Sequence, residues 1–373
     1  PTLAKQQYER ALAAAELAIR EDSINPLGYR LAAMASLGVE DYQAAGENFD
    51  RAEELRPIYQ FDFESIREQT WVNLYQSAIP LVNAGDYEGA AAVYLDANAI
   101  YTSRPEAMIM LGQIQAQLGQ YDESIVNIDG ALAIIDSDVV LETDEETVAS
   151  WRDQAAPLPA LRAQVLAAAG RYEEAIADYH ALLVVEPDNT QASRDLGSML
   201  IETGQVEEGF QVYDDLLQQP ALTGEDLYAI GVGFYQGNAY GRAANAFRMA
   251  SEKNRYDRDS IELWARSLQL DSAYAEVPEA ADRWIELDPS SVTAHLVLAQ
   301  AVNALEDSER TSEAVREMEA LQIDISNLSI TKYPNGGARL TGQVTNRSLE
   351  AGTQVTLTIT FYSQEETPLG TLD

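Results

Sequence analysis

The sequence predicts a mainly α protein, an α-α superhelix followed by a small, incomplete antiparallel β-sandwich. Three observations predict it. A short motif centred on an aromatic residue recurs at fixed spacing along most of the chain, the residues between recurrences keep the apolar spacing of helices, and from about Leu321 that spacing changes to two. Units of this size cannot bury an apolar face alone and must stack, so the period itself implies an array.

The motif is most complete at Leu118-Gly119-Gln120-Tyr121-Asp122-Glu123-Ser124-Ile125. Counted from the aromatic, Gly85-Asp86-Tyr87 stands 34 residues earlier, and Gly170-Arg171-Tyr172-Glu173-Glu174-Ala175 follows. Gly204-Gln205-Val206, Tyr240 and Tyr274 then come at successive intervals of 34, and Tyr8 and Tyr42 are also 34 apart. Two intervals are longer, 45 from Tyr42 to Tyr87 and 51 from Tyr121 to Tyr172; the excesses of 11 and 17 read as helical insertions between repeats. A period of 34 with Gly-x-Tyr-x-x-Ala at its centre resembles the tetratricopeptide repeat (TPR), two antiparallel helices joined by a tight turn. In the copy at 105–138 the pattern falls on Leu111-Gly112, Gly119, Tyr121, Ile128, Ala131 and Leu132. In the copy at 224–257 it falls on Leu227, Ile230-Gly231, Phe234, Tyr240, Ala243, Phe247 and Ala250. Small residues at Gly112, Ala131, Gly231 and Ala250 are expected to let helices approach closely. The resemblance covers roughly residues 3–306.

Taken in order, the first helix (3–21) matches only the second helix of a repeat, so its apolar stripe of Leu12, Ala15 and Ile19 is expected to be covered by an upstream segment carrying a targeting signal or anchor. A full repeat at 26–59 closes at Arg56-Pro57, where proline cannot continue a helix. Residues 60–70 add three turns to the first helix of the repeat at 71–104. After the copy at 105–138, Thr143-Asp144-Glu145-Glu146 reads as a cap with an acidic first turn, opening an inserted helix that runs to Trp151 and Arg152. This insertion divides the array into block 1 (1–136), the inserted helix (137–155) and block 2 (156–320). Block 2 ends in a degenerate capping repeat whose turn has decayed to Glu306-Asp307-Ser308.

The partial β-sandwich occupies 321–373. Ile323, Ile325, Leu328 and Ile330 roughly alternate with polar residues, Asn335-Gly336-Gly337 makes a turn, and further strands follow at 339–346 and 354–362. Gly342-Gln343-Val344-Thr345-Asn346, followed by Phe361-Tyr362 and Leu369-Gly370, resembles the opening half of the FxLYD family, small immunoglobulin-like domains of exported bacterial and archaeal proteins. The acid common after the aromatic in that family is Ser363 here. Three or four strands do not close a sandwich, so further chain or a partner is expected to supply the remainder.

Composition narrows the function. Net charge is −37, from 61 acidic and 24 basic residues, and the only lysines are Lys5, Lys253 and Lys332. Such a surface repels nucleic acid and anionic lipid. No run of 18 apolar residues offers a membrane span, and no Asp-x-Asp-x-Asp-Gly loop offers a calcium site. Cysteine is absent, which removes disulfides, thiolate metal sites and cysteine nucleophiles. The two histidines, His180 and His295, have no second histidine at metal-binding spacing, and no nucleophile elbow, phosphate loop or His-Glu-x-x-His helix is present. Glu173-Glu174 and Glu207-Glu208 share one repeat position on outer helices and read as a solvated face. The expectation is a chain with no catalytic residue, cofactor or metal, hence not an enzyme.

In the resembled family the first helices of the repeats line the concave surface where ligands bind. Carried over repeat by repeat, that surface holds Arg30 and Met34; Tyr75, Ile79 and Asn83; Ile109, Gln113 and Gln117; Gln164; Arg194 and Ser198; Tyr228, Val232, Tyr235 and Gln236; then Glu262, Arg266 and Gln269. The groove reads as rich in Gln, Tyr and Arg and poor in carboxylates on an acidic chain. Tyr and Arg are frequent hot-spot residues and Gln pairs with peptide backbone. The lysine and asparagine clamp that some relatives use for a C-terminal carboxylate is not reproduced, which excludes a chaperone-tail receptor. The expected function is a non-catalytic protein-interaction scaffold outside the cytoplasm, in the periplasm or cell envelope of a bacterium, with protein partners, a large membrane or envelope complex among them. The alternative is a surface or periplasmic binding protein in which Tyr75, Tyr228 and Tyr235 stack on peptides or glycans.

Overall fold

A computed structural model describes residues 2–333, 338–356, 359–362 and 368–372. The chain divides into two compact units, Pro1–Leu182 and Leu183–Asp373. The first holds α1 (Leu3–Glu21), α2 (Pro26–Val39), α3 (Tyr42–Leu55), α4 (Tyr59–Ala84), α5 (Tyr87–Ile100), α6 (Glu106–Gln117), α7 (Tyr121–Ile135), α8 (Val139–Glu142), α9 (Glu145–Ala155), α10 (Leu158–Ala168) and most of α11 (Tyr172–Val185). The second holds α12 (Thr190–Glu202), α13 (Val206–Leu216), α14 (Gly224–Gln236), α15 (Tyr240–Lys253), α16 (Arg258–Leu270), α17 (Val277–Leu287), α18 (Val292–Ala304) and α19 (Ser308–Ala320), then strands β1 (Ile323–Lys332), β2 (Ala338–Asn346), β3 (Ile359–Tyr362) and β4 (Pro368–Leu372). Each unit is a TPR-type stack of antiparallel helix pairs.

The turn inside each pair has one geometry. Glu40, Gly85, Gly119, Gly170, Gly204, Asn238, Ser272 and Glu306 all have left-handed backbone, each two residues before the motif's aromatic position. Around each, the next residue's N–H reaches back five residues to a carbonyl of the first helix, as in Gln120 N to Gln115 O at 2.8 Å and Ala273 N to Leu268 O at 2.9 Å. This is the Schellman closure, which satisfies helix-end carbonyls and reverses the chain within three residues. The turn read as decayed keeps it: Glu306 has φ 60°, and Asp307 N donates to Val302 O at 3.0 Å. The same chemistry ends α2 at Glu40 without glycine.

The helices of a pair then meet through small-against-large positions. A Cβ on Gly112 would stand 2.7 Å from Ile128 Cγ1, and one on Gly231 would stand 2.7 Å from Phe247 Cε1. The same two repeat positions hold Ala33 and Phe49, Ala78 and Tyr94, Ala163 and Tyr179, and Gly197 and Tyr213, all of them buried. Close approach of backbones is what a glycine or alanine opposite a ring allows.

The insertions are absorbed into this packing. The extra 11 residues sit within α4, 26 residues long, whose Tyr59, Phe63 and Trp71 are buried. Residues 137–155 form two helices, α8 and α9. Asp144 caps α9 by accepting from Thr147 N at 2.9 Å. Trp151 and Ala155 of α9 share a core with Ile109, Ile128 and Ile135, and Leu158 of α10 lies in the same core. Packing is thus continuous across the stretch at which the sequence reading placed a break, and the division into units falls later, after Leu182.

One buried cation holds the region around α4. Arg67, 8% exposed, donates from Nε to Ile100 O at 2.6 Å, from Nη1 to Glu53 Oε1 at 2.9 Å and from Nη2 to Asp50 Oδ1 at 2.6 Å, and lies over the Phe49 ring. It therefore caps the C-terminus of α5, where a cation is favoured, and ties α5 to α3. Nearby, a Cβ on Gly46 would overlap the Ala99 carbonyl oxygen, so α3 and α5 touch backbone to backbone.

In the second unit β1 and β2 pair antiparallel with Ile325 opposite Val344, and the register shifts between Ser326 and Ser329. β3 and β4 form a second antiparallel pair with Thr360 opposite Thr371. The first pair is joined to the helices: Asp324 Oδ1 accepts from Val292 N at 3.1 Å, and the Arg347 guanidinium donates to the Met318 carbonyl. Gly342 to Asn346 lie in β2, Phe361 and Tyr362 in β3, and Leu369 and Gly370 in β4. The expected turn at Asn335-Gly336-Gly337, Ser363 and part of the third expected strand lie outside the described residues.

Two outcomes follow from these contacts. Gly119→Ala places a Cβ in left-handed backbone and should lower stability by about 1 kcal/mol, whereas Ser272→Gly should raise it by about 0.5–1 kcal/mol, both read as shifts of the urea midpoint. Arg67→Ala should lower stability by about 2–4 kcal/mol, because Ile100 O and Glu53 lose their partner, and Arg67→Lys should recover less than half, since an ammonium cannot reproduce three divergent bonds.

Candidate functional site

The first helices of each unit carry this surface. In the first, Arg30 leaves α2 and meets Asp62 at 3.6 Å, with its guanidinium 5.2 Å from the Tyr59 ring centre. Met34 is 39% and Ile79 41% exposed, and Asn83 of α4, Gln117 of α6 and Gln164 of α10 are exposed. Gln113 is half-buried. Ile109, read as groove-facing, is instead 2% exposed and belongs to the core with Trp151. The inserted α9 is what claims it, a neighbour that the repeat pattern does not contain.

Tyr75 is half-buried, stacked on Trp71 at 5.0 Å and 9° and tilted against Tyr94 at 5.4 Å. Burial raises its phenol above the ordinary tyrosine value, and the Glu106 carboxylate adds to the rise. Burial likewise pushes Tyr94 to about 12.

In the second unit Arg194 of α12 pairs with Asp226 of α14 at 2.9 Å, and it also donates to Gln191. Ser198 Oγ lies 3.5 Å from Glu202 Oε1. Tyr228, half-buried, sets its ring edge-on to Phe247 at 5.6 Å, and Tyr235 is edge-on to Tyr240 at 5.4 Å. Val232 is half-buried and Gln236 exposed. On α16 Arg266 pairs with Glu262 at 2.7 Å, and the Gln269 amide donates to Gln300 of α18. Behind them Tyr213 spans α12 and α14, its hydroxyl donating to Arg194 O at 3.3 Å, and burial pushes its phenol to about 12.

The arginines are therefore not free. Each of Arg30, Arg194 and Arg266 holds a carboxylate, so the expectation of a groove poor in carboxylates is corrected: Asp62, Asp226 and Glu262 stand beside its arginines. The Glu262–Arg266 pair has the i,i+4 spacing that a helix reading finds; Asp226 stands one repeat beyond Arg194, a pairing that needs the stack. The tyrosines take part in ring packing as well as facing outward.

Of the histidines, His295 is 4% exposed in α18, its Nε2 3.3 Å from Pro289 O and its Nδ1 3.8 Å from Glu317. Among the described residues no group of three or more His, Cys, Asp or Glu is placed to hold a metal ion, and no helix is long and apolar enough to cross a membrane.

With this geometry in view, residues 75–136 and 161–222 match the tetratricopeptide-repeat family model. No curated protein matches the chain. Among solved structures it is similar to a tetratricopeptide repeat protein from Parabacteroides merdae, at 17% identity over 68% of this chain and 93% of that one, TM-score 0.42. It is similar to the C-terminal part of a TPR repeat-containing protein from Cytophaga hutchinsonii, at 16% identity over 66% and 95%, TM-score 0.49. MamA from Desulfovibrio magneticus matches at 19% identity over 44% and 94%, TM-score 0.35.

The ring packing makes a measurable prediction. Tyr228→Ala should lower stability by about 1–2 kcal/mol by removing the edge contact with Phe247 along with buried area, and Tyr228→Phe should be close to neutral. Urea unfolding of the two variants checks it.

Proposed function

We propose that the chain is a non-catalytic scaffold that docks protein partners on the first-helix faces of its repeats and serves as an accessory subunit of an extracytoplasmic or envelope assembly. One observation carries the reading. On a chain of net charge −37, these faces present exposed Gln117, Gln164 and Gln236, and Arg30, Arg194 and Arg266 on them are already matched by carboxylates. A partner docking there meets neutral amides and balanced pairs, so it avoids desolvating an excess of acid. The acidic remainder disfavours approach elsewhere and keeps the scaffold soluble. The extracytoplasmic setting rests on the FxLYD resemblance of the C-terminal strands.

The alternative, stacking of Tyr75, Tyr228 and Tyr235 on peptides or glycans, is less favoured, because those rings already pack on Trp71, Phe247 and Tyr240. Retrieval of the protein from its native membranes in mild detergent should bring down a stoichiometric protein partner that survives a salt wash. Gln236→Glu with Gln164→Glu should weaken that retention by at least about tenfold, the effect of adding unpaired carboxylates to the docking face. If only the bait returns, the accessory-subunit reading fails; if the partner is held equally well by the double variant, the first-helix faces are not the docking surface.

A further inference from the structure

The two insertions of the first unit cover the same place on the repeat before them. Arg30 and Ile109 each stand twelve residues ahead of the motif's aromatic, at Tyr42 and Tyr121. Over Arg30 the added turns of α4 set Tyr59 and Phe63, whose ring centres lie 5.2 and 5.9 Å from its guanidinium. Over Ile109 the inserted α9 sets Trp151, and the two share a core with Ala155 and Ile135. In the other repeats, from Arg30 to Leu296, the residue at this position is half-buried or exposed. Ile109 is 2% exposed, so α9 closes what the rest of the array leaves open.

The two covers are held differently. The α4 turns are tied by polar bonds on several sides: Arg67 to Ile100 O, Glu53 and Asp50, Asp62 to Arg30, and Glu64 to the Tyr101 hydroxyl. α8 and α9 have no such tie. Among the described residues their side-chain hydrogen bonds are all local, as from Thr143 to Val139 O and from Gln154 to Ser150, and no ion pair joins them to another helix. Of the 11 residues of α9 only Val148, Trp151 and Ala155 are buried, and α8 buries none. The Trp151 indole N–H is buried without a partner, which lowers the gain from seating the ring. Both ends of α9 can bend. One is reached through the four residues of α8, where Leu141 is 79% exposed. The other meets Pro157, whose ring has no N–H to carry the helix into α10. An element held by one short apolar stripe opens ahead of the core around it.

We propose that α8 and α9 form a hinged lid over the first-helix face at α6, and that the place it uncovers takes an amphipathic helix of a partner protein with an aromatic anchor where Trp151 sits. The lid itself gives the chemistry of that occupant, since Ile109 and Ile135 receive an indole and, one turn on, a methyl group. Use of this place by a partner rests on the scaffold reading; opening of the lid does not.

The chain has no cysteine, so Ile109→Cys gives it one thiol under the lid, and Ala107→Cys gives it one on the same helix in the core with Trp71 and Tyr94. Labelling of the folded full chain by a thiol reagent should run at least about tenfold faster at 109 than at 107 and depend less on urea, because a lid exposes less surface than global unfolding. Trp151→Ala should speed labelling at 109 at least about tenfold more and leave 107 unchanged. A synthetic peptide of residues 144–158, at about 1 mM to match the effective concentration of a tethered segment, should then slow labelling at 109 of that variant at least about threefold. The same peptide with alanine in place of its tryptophan should not. Equal rates and equal urea dependence at the two positions, or equal acceleration of both by Trp151→Ala, would make α9 part of the global core and overturn the lid. Protection by neither peptide, or by both alike, would overturn the helix-docking place. Retention of a partner by the Gln236→Glu, Gln164→Glu variant tests the scaffold reading separately, and its outcome leaves the labelling results standing.

Discussion

The left-handed residue between the two helices of each pair is the constraint from which the rest of the stack follows. Once Gly119 or its counterpart takes positive φ and the next N–H closes onto a carbonyl five residues back, the second helix has little choice of direction: it must fold antiparallel onto the first. The residue nine before the motif's aromatic position then faces the residue seven after it, and in most pairs a small side chain stands there opposite a large one, with Ala265 and Ala281 the small–small case. Gly112 with Ile128 and Gly231 with Phe247 show the fit at its tightest. Local backbone conformation therefore decides pair geometry, and pair geometry decides which side chains are core and which look outward.

This chain of causes explains what could be read before the structure was seen. The period was legible because several turns use glycine and the aromatic follows at fixed distance; Glu40, Ser272 and Glu306 take the same conformation without glycine, and the last of these looked like decay. The conformation survives there because its hydrogen bonds are made by backbone alone. The inserted helix was legible as a helix from its Asp144 cap, but not as part of a continuous core, since Trp151 has no counterpart elsewhere in the period to say what it faces. Of the surface residues, those on exposed helix faces followed from periodicity. Pairings such as Arg194 with Asp226 did not, because they join side chains on neighbouring repeats whose relative rotation is a property of packing.

The same structure accounts for an unusual charge inventory. With 24 basic residues and only three lysines, 21 are arginine. Many of these lie over rings: Arg104 over Trp71 at 4.7 Å, Arg242 over Phe210 at 5.2 Å, Arg283 over Trp264 at 5.6 Å and Arg258 over Trp284 at 5.7 Å. Several also fork between carboxylates, as Arg258 does between Glu262 at 2.8 Å and Asp288 at 3.1 Å. A planar guanidinium stacks and forks at once, which an ammonium cannot do, so these cations contribute packing as well as charge. Lysine, useful mainly as a solvated charge, is nearly absent. The strong negative charge thus goes with a scarcity of lysine, three residues against 61 acids.

If the cations serve the interior, the outward charge is left to the carboxylates, and neutrality becomes the exception on the surface. It occurs where a carboxylate meets an arginine, on first helices at Arg30, Arg194 and Arg266 and on second helices at Arg51, Arg248 and Arg310, and across the whole of residues 1–39. Those places are also where apolar and amide groups stand exposed: Leu31 and Met34 on α2, Gln236 on α14. Repulsion among 61 acidic side chains keeps other macromolecules at a distance that falls with salt, whereas a neutral patch offers contact at any salt. In the scaffold proposed above, selectivity would come less from attraction at the docking faces than from exclusion everywhere else, so a single carboxylate added to a neutral face would do more harm to docking than the loss of one favourable contact there.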